Sequence, residues 1–337
     1  MIRAGIVGLG RWGRALVDAV AGKTGDDIRF VRATTRTPGR AEEFCHQRQI
    51  ALVDSYEDML RARDIDVVVL ATPHSQHEAQ ALAAIAAGKH VFVEKPLTLD
   101  LKSAVRVAEA AREAGLVLAV GFTRRFHPSV AELRRRAHDG RLGSIVAMVA
   151  QHTTSTVQFI APDNWRASAA EAPGGAFTAV GVHALDHMIE FAGRVRDVRC
   201  ITARNYPGPS DDTTTIMLRF EAGASGLIFC SVATATNFEF TAYGTKGLAE
   251  ISRFDLSQFR FAPTATVAPT GTVPAPADEI LQFSGFDMLH AEMTAFARAV
   301  RDGAPYLVPI GEVLHGMAVF DAVVESAKRG EIAAVRN

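Results

Sequence analysis

The amino end of the chain reads Met1-Ile2-Arg3-Ala4-Gly5-Ile6-Val7 and continues directly into Gly8-Leu9-Gly10-Arg11-Trp12-Gly13. The first run is mostly apolar, which predicts a strand buried on both faces. The second run has the spacing G-x-G-x-x-G. In that pattern the first glycine permits a tight turn, the second lets a diphosphate approach the backbone, and the third lets the next helix pack closely. The amino end of that helix adds free N–H donors. The stretch therefore predicts a dinucleotide-binding loop, with Gly8, Gly10, Arg11, Trp12 and Gly13 as its binding residues. The alternative is a tight turn without a ligand.

The first third of the chain continues this pattern, with short apolar runs alternating with helical segments. Ser75 can cap one predicted helix and Asp100 can cap the next. Such a βαβα order is typical of a doubly wound parallel sheet with helices on both faces. We therefore predict a Rossmann dinucleotide-binding domain over residues 1–122. Its strands are predicted at residues 2–7, 28–33, 67–71, 90–93 and 117–120.

The remaining part, residues 123–337, has a different pattern, in which strand-like runs follow one another with few helices. It predicts an α+β domain with an open, mostly antiparallel sheet that has one face packed on helices. Residues 262–277, rich in Pro, Thr and Ala, are predicted to be a loop. Predicted strands are 144–152, 198–203, 213–220, 225–232, 239–243 and 248–252, and predicted helices are 128–138, 182–191, 288–302 and 312–329.

Composition excludes several classes of function. The chain has 337 residues with 36 basic and 37 acidic side chains, and this balance gives no electrostatic argument for nucleic acid or a membrane surface. Cys45, Cys200 and Cys230 are far apart and form neither a disulfide framework nor a metal site. No apolar run reaches the roughly 18 residues that span a bilayer. With no signal peptide in view, we expect a cytoplasmic protein without a metal.

The end of the second predicted strand bears on the choice of nicotinamide cofactor. An NAD site usually places Asp or Glu against the ribose 2′-hydroxyl about 20 residues after the glycine loop. This chain has Thr35 and Arg36 there, with Arg40 one helical step later. A threonine hydroxyl and arginines can bind a 2′-phosphate, so the sequence favours NADP over NAD. The alternative is that both arginines are solvated surface cations.

Further motifs follow in order along most of the chain. They are Ala71-Thr72-Pro73-His74-Ser75-Gln76-His77, Glu94-Lys95-Pro96-Leu97, Gly121-Phe122-Thr123-Arg124-Arg125-Phe126, Asn164-Trp165-Arg166, and residues 174–186. Together with the glycine loop they resemble the glucose–fructose oxidoreductase/inositol dehydrogenase (Gfo/Idh/MocA) family. The resemblance implies an NAD(P)-dependent enzyme acting on a small-molecule substrate and assembled as a homodimer or homotetramer.

The resemblance also implies roles for residues on the cofactor side. Lys95 would lie beside the nicotinamide and the substrate hydroxyl or carbonyl, as the main acid–base group. Thr72, Pro73 and Glu94 would lie along the cofactor. His77 could contact the cofactor or serve only in packing.

On the substrate side the resemblance implies His183 as the catalytic partner of Lys95. Arg124, Trp165, Arg166 and Asp186 would be near the substrate. Arginines there could hold a carboxylate, or could simply pair with acidic side chains of the fold. Asp186 could also orient His183 or its helix.

The sequence departs from the family pattern at Ala179, where D-x-G-x-H-x-x-D would have its first aspartate. Three explanations stay open. His183 and Lys95 suffice, another carboxylate (Asp163, Glu171 or Asp186) takes the place, or the usual alcohol oxidation is lost. The sequence predicts hydride transfer between nicotinamide and a secondary alcohol or ketone of a sugar, cyclic polyol or dihydrodiol. The alternatives are a non-catalytic dinucleotide sensor, or redox-neutral glycoside cleavage or elimination with a retained cofactor.

Overall fold

A six-stranded parallel sheet begins the chain in the computed structural model, which describes residues 1–23, 27–161, 164–208, 210–268 and 271–336. The strand order β3-β2-β1-β4-β5-β6 confirms the predicted Rossmann-type sheet. The short strand β3 was not predicted, because two residues are too few to show a pattern. The strands are β1 (Ile2–Val7), β2 (Ile28–Thr34), β3 (Ala51–Leu52), β4 (Val67–Leu70), β5 (His90–Glu94) and β6 (Leu118–Gly121).

Helices connect these strands, as parallel pairing requires. Asp100 caps the last of them as predicted, since its Oδ1 accepts from the Ser103 N–H at 2.8 Å. The predicted cap at Ser75 is wrong. The Gln76 N–H bonds to the Pro73 carbonyl at 3.0 Å and forms a tight 3₁₀ turn, so the α-helix begins only at His77 and has no side-chain cap. The helices are α1 (Arg11–Val20), α2 (Glu42–Arg48), α3 (Tyr56–Arg61), α4 (His77–Ala86) and α5 (Leu101–Glu113).

A helix from near the carboxyl end also packs in this first unit, which comprises Met1–Thr123 and Asp287–Met317. It is α8 (Met288–Asp302), following α6 (Pro128–His138) and α7 (Val182–Ala192), and it precedes α9 (Ile310–Arg329). The Phe296 ring lies 5.6 Å from that of Phe92 on β5. The sequence instead assigns α8 to residues 123–337, because the apolar stripe of a helix does not indicate which sheet will cover it.

The second unit, Arg124–Phe286 and Ala318–Asn337, is built on a nine-stranded sheet. The strands pair antiparallel except for β7 and β10, which run parallel, so the predicted mostly antiparallel sheet is confirmed. The strands are β7 (Ile145–Thr153), β8 (Val195–Ala203), β9 (Thr213–Phe220), β10 (Ser225–Ser231), β11 (Asn237–Gly244), β12 (Gly247–Ser252), β13 (Gln258–Pro263), β16 (Glu279–Gln282) and β17 (Ala333–Ala334), in the order β16-β13-β12-β11-β7-β10-β9-β8-β17.

The loop predicted at residues 262–277 is only partly correct. Strand β13 continues to Pro263, and a small hairpin follows, formed by β14 (Thr266–Ala268) and β15 (Gly271–Val273). Residues 269 and 270, between the hairpin strands, lie outside the described residues. Strands of three residues are too short to show the alternation from which a strand is predicted.

Among the described residues there is no helix whose length and apolar character would let it span a membrane. Across the same residues, no group of three or more His, Cys, Asp and Glu side chains is arranged to hold a metal ion.

Candidate active site

The glycine loop has three glycines with different steric surroundings. Gly8 has a φ of +95°, and a Cβ there would lie 2.6 Å from the Ala71 carbonyl oxygen. A Cβ at Gly13 would lie 2.0 Å from the Gly8 carbonyl oxygen. A Cβ at Gly10 would meet no atom within 4 Å among the described residues. Gly8 and Gly13 are thus required by the fold, whereas Gly10 leaves space open beside the backbone.

This open space lies at the amino end of α1. Gly10 is the N-cap residue, no side chain caps the helix, and the first turn contains no acidic residue. The first N–H groups and the positive end of the helix dipole are therefore directed at a space that a Cβ would begin to fill. These residues fit the diphosphate of a dinucleotide.

Trp12 and Glu94 contact each other, although both were predicted as cofactor-binding residues. The Trp12 indole N–H donates to Glu94 Oε1 at 2.5 Å. Glu94 is buried at the end of β5, and a Cβ at Gly121 would lie 3.0 Å from its carboxylate. Glycine at position 121 therefore leaves room for the carboxylate that fixes Trp12.

Thr72, Pro73 and His77 follow β4. The His77 ring is fully buried, with Nδ1 at 2.9 Å from the Pro96 carbonyl oxygen and Nε2 at 3.1 Å from that of Thr72. The Thr72 hydroxyl donates to Gln80 Oε1 at 2.6 Å. Of the two interpretations of His77, these contacts favour packing, because the ring joins the turn after β4 to the turn after β5.

Lys95 directly follows β5 and is half-buried. Strands β1, β4 and β5 are neighbours in parallel register, so the segments that follow Val7, Leu70 and Glu94 leave the same edge of the sheet. The structure thus brings the glycine loop, Thr72 and Lys95 to the carboxyl edge, where ligands of doubly wound sheets bind.

The residues predicted to select NADP follow β2, the other neighbour of β1. Thr34 pairs with Val7, so Thr35 lies near the beginning of the glycine loop. Arg36 and Arg40 are exposed, and neither forms an ion pair with another residue in the described part of the chain.

In the second unit, Arg124 is buried with 7% of its surface exposed. Its guanidinium carbon lies 4.3 Å from the centre of the Phe238 ring. Nη1 donates to the Phe254 carbonyl at 3.2 Å, and Nη2 lies 3.4 Å from His152 Nε2. The sequence did not single out His152, because a histidine on the buried face of a strand resembles any core residue until its neighbours are known.

Asp186 is held by Arg125. Arg125 Nε and Nη2 donate to the two carboxylate oxygens at 2.7 and 2.8 Å, and both side chains are buried. Burial raises the pKa of Asp186, and the Arg125 guanidinium opposes that rise. Both oxygens are engaged, which favours a role in fixing α7 over the predicted contact with substrate.

Ala179 lies exposed in a π-helical turn, Phe177–Gly181, that leads into α7. His183 is half-buried in the first turn of α7, and its ring centre lies 6.0 Å from that of His152. Such turns often occur at functional sites. Of the carboxylates considered as replacements, Glu171 is half-buried and Asp163 lies outside the described residues.

Trp165 and Arg166 stack on each other, with the guanidinium carbon 4.2 Å from the Trp165 ring centre. They lie in a 3₁₀ turn that begins where Asn164 Oδ1 accepts from the Arg166 N–H at 3.0 Å. Arg166 is exposed.

Comparison with known proteins matches both parts of the chain. Residues 2–122 match an oxidoreductase family with an NAD-binding Rossmann fold, and residues 130–250 match the Gfo/Idh/MocA C-terminal domain. The chain is 30% identical to trans-1,2-dihydrobenzene-1,2-diol dehydrogenase of Oryctolagus cuniculus, over 66% of this chain and 66% of that protein. It thus spans just under two thirds of the length of that relative.

Two further proteins are similar over nearly the whole chain. 1,5-Anhydro-D-fructose reductase of Ensifer adhaerens is 27% identical over 99% of each chain. Levoglucosan dehydrogenase, solved in complex with NADH and levoglucosan, has the same fold, with a TM-score of 0.89, 21% identity and 100% of both chains covered. The predicted family is confirmed, and the chain belongs to the Gfo/Idh/MocA oxidoreductase family.

Proposed function

We propose that this chain is an NAD(P)-dependent oxidoreductase acting on a secondary alcohol or ketone of a sugar, cyclic polyol or dihydrodiol. The observation that carries the proposal is the common sheet edge at which the open glycine loop and Lys95 lie. The relatives named for dihydrodiol, anhydrofructose and levoglucosan chemistry support this class of substrate. When bound, the nicotinamide supplies or accepts the hydride.

The chain's own residues would bind the cofactor and move the proton. Gly8, Gly10 and Gly13 with the amino end of α1 would hold the diphosphate. Lys95 would donate a proton to the substrate oxygen as an ammonium, or accept one from it as the neutral amine, and its ammonium would stabilise the negative charge that develops there. His183 of the second unit would be the second acid–base group, since an imidazole changes charge near neutral pH.

Turnover with a panel of sugars, cyclic polyols, dihydrodiols and their ketones tests this function. The expected result is a change in nicotinamide absorbance with at least one compound. If the protein neither binds NADPH nor turns over any compound in the panel, the proposal is wrong.

We further propose that NADP is the preferred cofactor. Arg36 and Arg40 are exposed cations without an ion pair in the described ranges, and Thr35 lies beside β1. A 2′-phosphate would give these arginines a partner. Arg36→Gln should weaken NADPH binding by about tenfold and leave NADH binding nearly unchanged, because a charge-assisted hydrogen bond contributes about 1.5–3 kcal/mol. Equal effects on both cofactors, measured by fluorescence titration, would argue against a 2′-phosphate site.

A non-catalytic dinucleotide sensor is the second candidate, and Ala179 is the observation that favours it. A redox-neutral cleavage or elimination with a retained cofactor is a third. Net reduction or oxidation of the cofactor by a substrate excludes the sensor, whereas product formation without net cofactor change would identify the third.

A further inference from the structure

Three large arginines are buried in the second unit, and one differs from the other two. Arg125 is paired with Asp186, and Arg136 with Glu132 and Glu279. Arg124 is 7% exposed, and no carboxylate of the described residues lies within ion-pair distance of it. A buried cation without a counter-charge is costly, so proteins normally pair it.

The groups around Arg124 do not neutralise it. Its bonds go to the Phe254 carbonyl and to His152, and its guanidinium lies over the Phe238 ring. Desolvation lowers the pKa of Arg124 to about 9, which still leaves it charged at neutral pH. The named hydrogen bonds use two of the five guanidinium N–H groups.

His152 connects this cation to the turn that carries Ala179. Because a guanidinium only donates, His152 Nε2 accepts from it, and Nδ1 then donates to the Val180 carbonyl at 2.9 Å. Next to Val180, position 179 is a methyl group where the family pattern has a carboxylate. The region thus has one positive charge and lacks the carboxylate expected from the pattern.

We propose that the substrate itself carries a carboxylate, and that Arg124 binds that group. This rests on the proposed oxidoreductase function and narrows its substrate to a hydroxy acid or sugar acid. The planar guanidinium matches a carboxylate in shape, and its single charge balances a monoanion. A phosphate dianion carries one more negative charge than the Arg124 guanidinium can balance.

Isothermal titration calorimetry of the NADPH-bound protein tests the proposal with matched ligands. D-Glucuronate is compared with neutral D-glucose and with D-glucose 6-phosphate, which share its sugar ring. Lactate is compared with its neutral counterpart 1,2-propanediol. At least one carboxylate should bind more than tenfold more tightly than its neutral partner. Arg124→Met should remove that preference, a loss of about tenfold to a hundredfold in carboxylate affinity. Arg124→Lys, which keeps the charge without the planar fork, should retain part of it.

Two controls keep the result interpretable. Replacing a buried charge by an apolar side chain is commonly tolerated. Arg124→Met should therefore be folded and show a cooperative thermal unfolding transition. Arg135→Gln removes an exposed cation of the same unit, 53% exposed, and should leave the carboxylate preference unchanged.

The proposal is overturned if no carboxylate binds more tightly than its neutral partner, if Arg124→Met keeps the preference, or if glucose 6-phosphate binds more tightly than glucuronate. Turnover of neutral polyols without a carboxylate preference would leave the oxidoreductase function standing. Carboxylate binding without redox turnover of any compound would support the carboxylate site at Arg124 and argue against the oxidoreductase function.

Discussion

At the scale of single residues, the glycine loop separates the needs of folding from those of binding. Gly8 and Gly13 are surrounded by backbone, whereas Gly10 faces open space in the described structure. A methyl group added at Gly8 or Gly13 is therefore expected to reduce stability. A methyl group added at Gly10 is expected to reduce cofactor binding.

Gly10→Ala should leave thermal unfolding nearly unchanged and weaken NADPH binding by about tenfold or more, because its Cβ would occupy the space of the diphosphate. Gly13→Ala should lower the unfolding temperature, since its Cβ would lie 2.0 Å from a carbonyl oxygen. Gly311→Ala, whose Cβ also meets nothing within 4 Å of the described residues, is the matched control. Gly10→Ala with full cofactor affinity would contradict the assignment of this loop.

The sequence predicted residues whose role depends on local backbone geometry, such as Gly8 and the Asp100 cap. It was less informative for His77 and Asp186. Their partners, Pro96 and Arg125, are 19 and 61 residues away, and no local pattern contains that contact. Arg124 illustrates the same limit, because only the folded structure shows that no carboxylate of the described residues forms an ion pair with it.

At the scale of elements, the amino end of α6 depends on the charge of a histidine. His127 Nδ1 accepts from the Ser129 N–H at 3.2 Å and caps the helix. The ring is buried, and burial lowers its pKa from 6.5 to about 4. Protonation of Nδ1 would remove the acceptor.

This cap predicts a pH dependence of stability. Between pH 6.5 and about 4 the unfolded chain takes up a proton at His127 and the folded chain does not. The cap's contribution is therefore complete above pH 6.5 and falls as the pH is lowered through that window, by about 1–3 kcal/mol in all. His127→Asn keeps a capping acceptor that does not titrate. The difference in unfolding free energy between wild type and His127→Asn should change with pH in this window, and a constant difference would contradict the account.

Most elements of both sheets follow from hydrophobic patterns. The missed strands β3, β14, β15, β16 and β17 have two to four residues, but β13 was also missed although it has six. The π turn at Phe177–Gly181 could not be predicted, because its residues also suit an α-helix. Packing against the sheet, which the sequence does not show, distinguishes the π turn from an α-helix.

At the scale of the whole molecule, one face of the nine-stranded sheet carries exposed apolar side chains on several strands. Met217 and Leu227 lie directly opposite each other and are 62% and 38% exposed. Ile201, Tyr243 and Ile280 continue this face on neighbouring strands. An apolar face of this kind is expected to be covered, and we propose that a second copy of the chain covers it.

Sedimentation velocity tests this assembly. The wild type should sediment as a dimer or tetramer, and Met217→Glu should shift it to the monomer by burying a charge in the interface. Phe159→Glu, at an 80% exposed position in a 3₁₀ turn outside the sheet, should leave the assembly intact. A wild type that is monomeric at every concentration would contradict the proposal.

Lys95 is the residue on which the proposed reaction depends most. The most direct measurement is single-turnover oxidation or reduction of the bound nicotinamide by a substrate identified in the panel, for wild type and Lys95→Ala. The rate is expected to be about 10²–10⁴-fold lower in Lys95→Ala, with unchanged NADPH affinity, since a positioned acid–base group contributes about that factor. Lys102→Ala, at an exposed position on α5, should react at the wild-type rate. A Lys95→Ala variant that turned over at the wild-type rate would contradict the account.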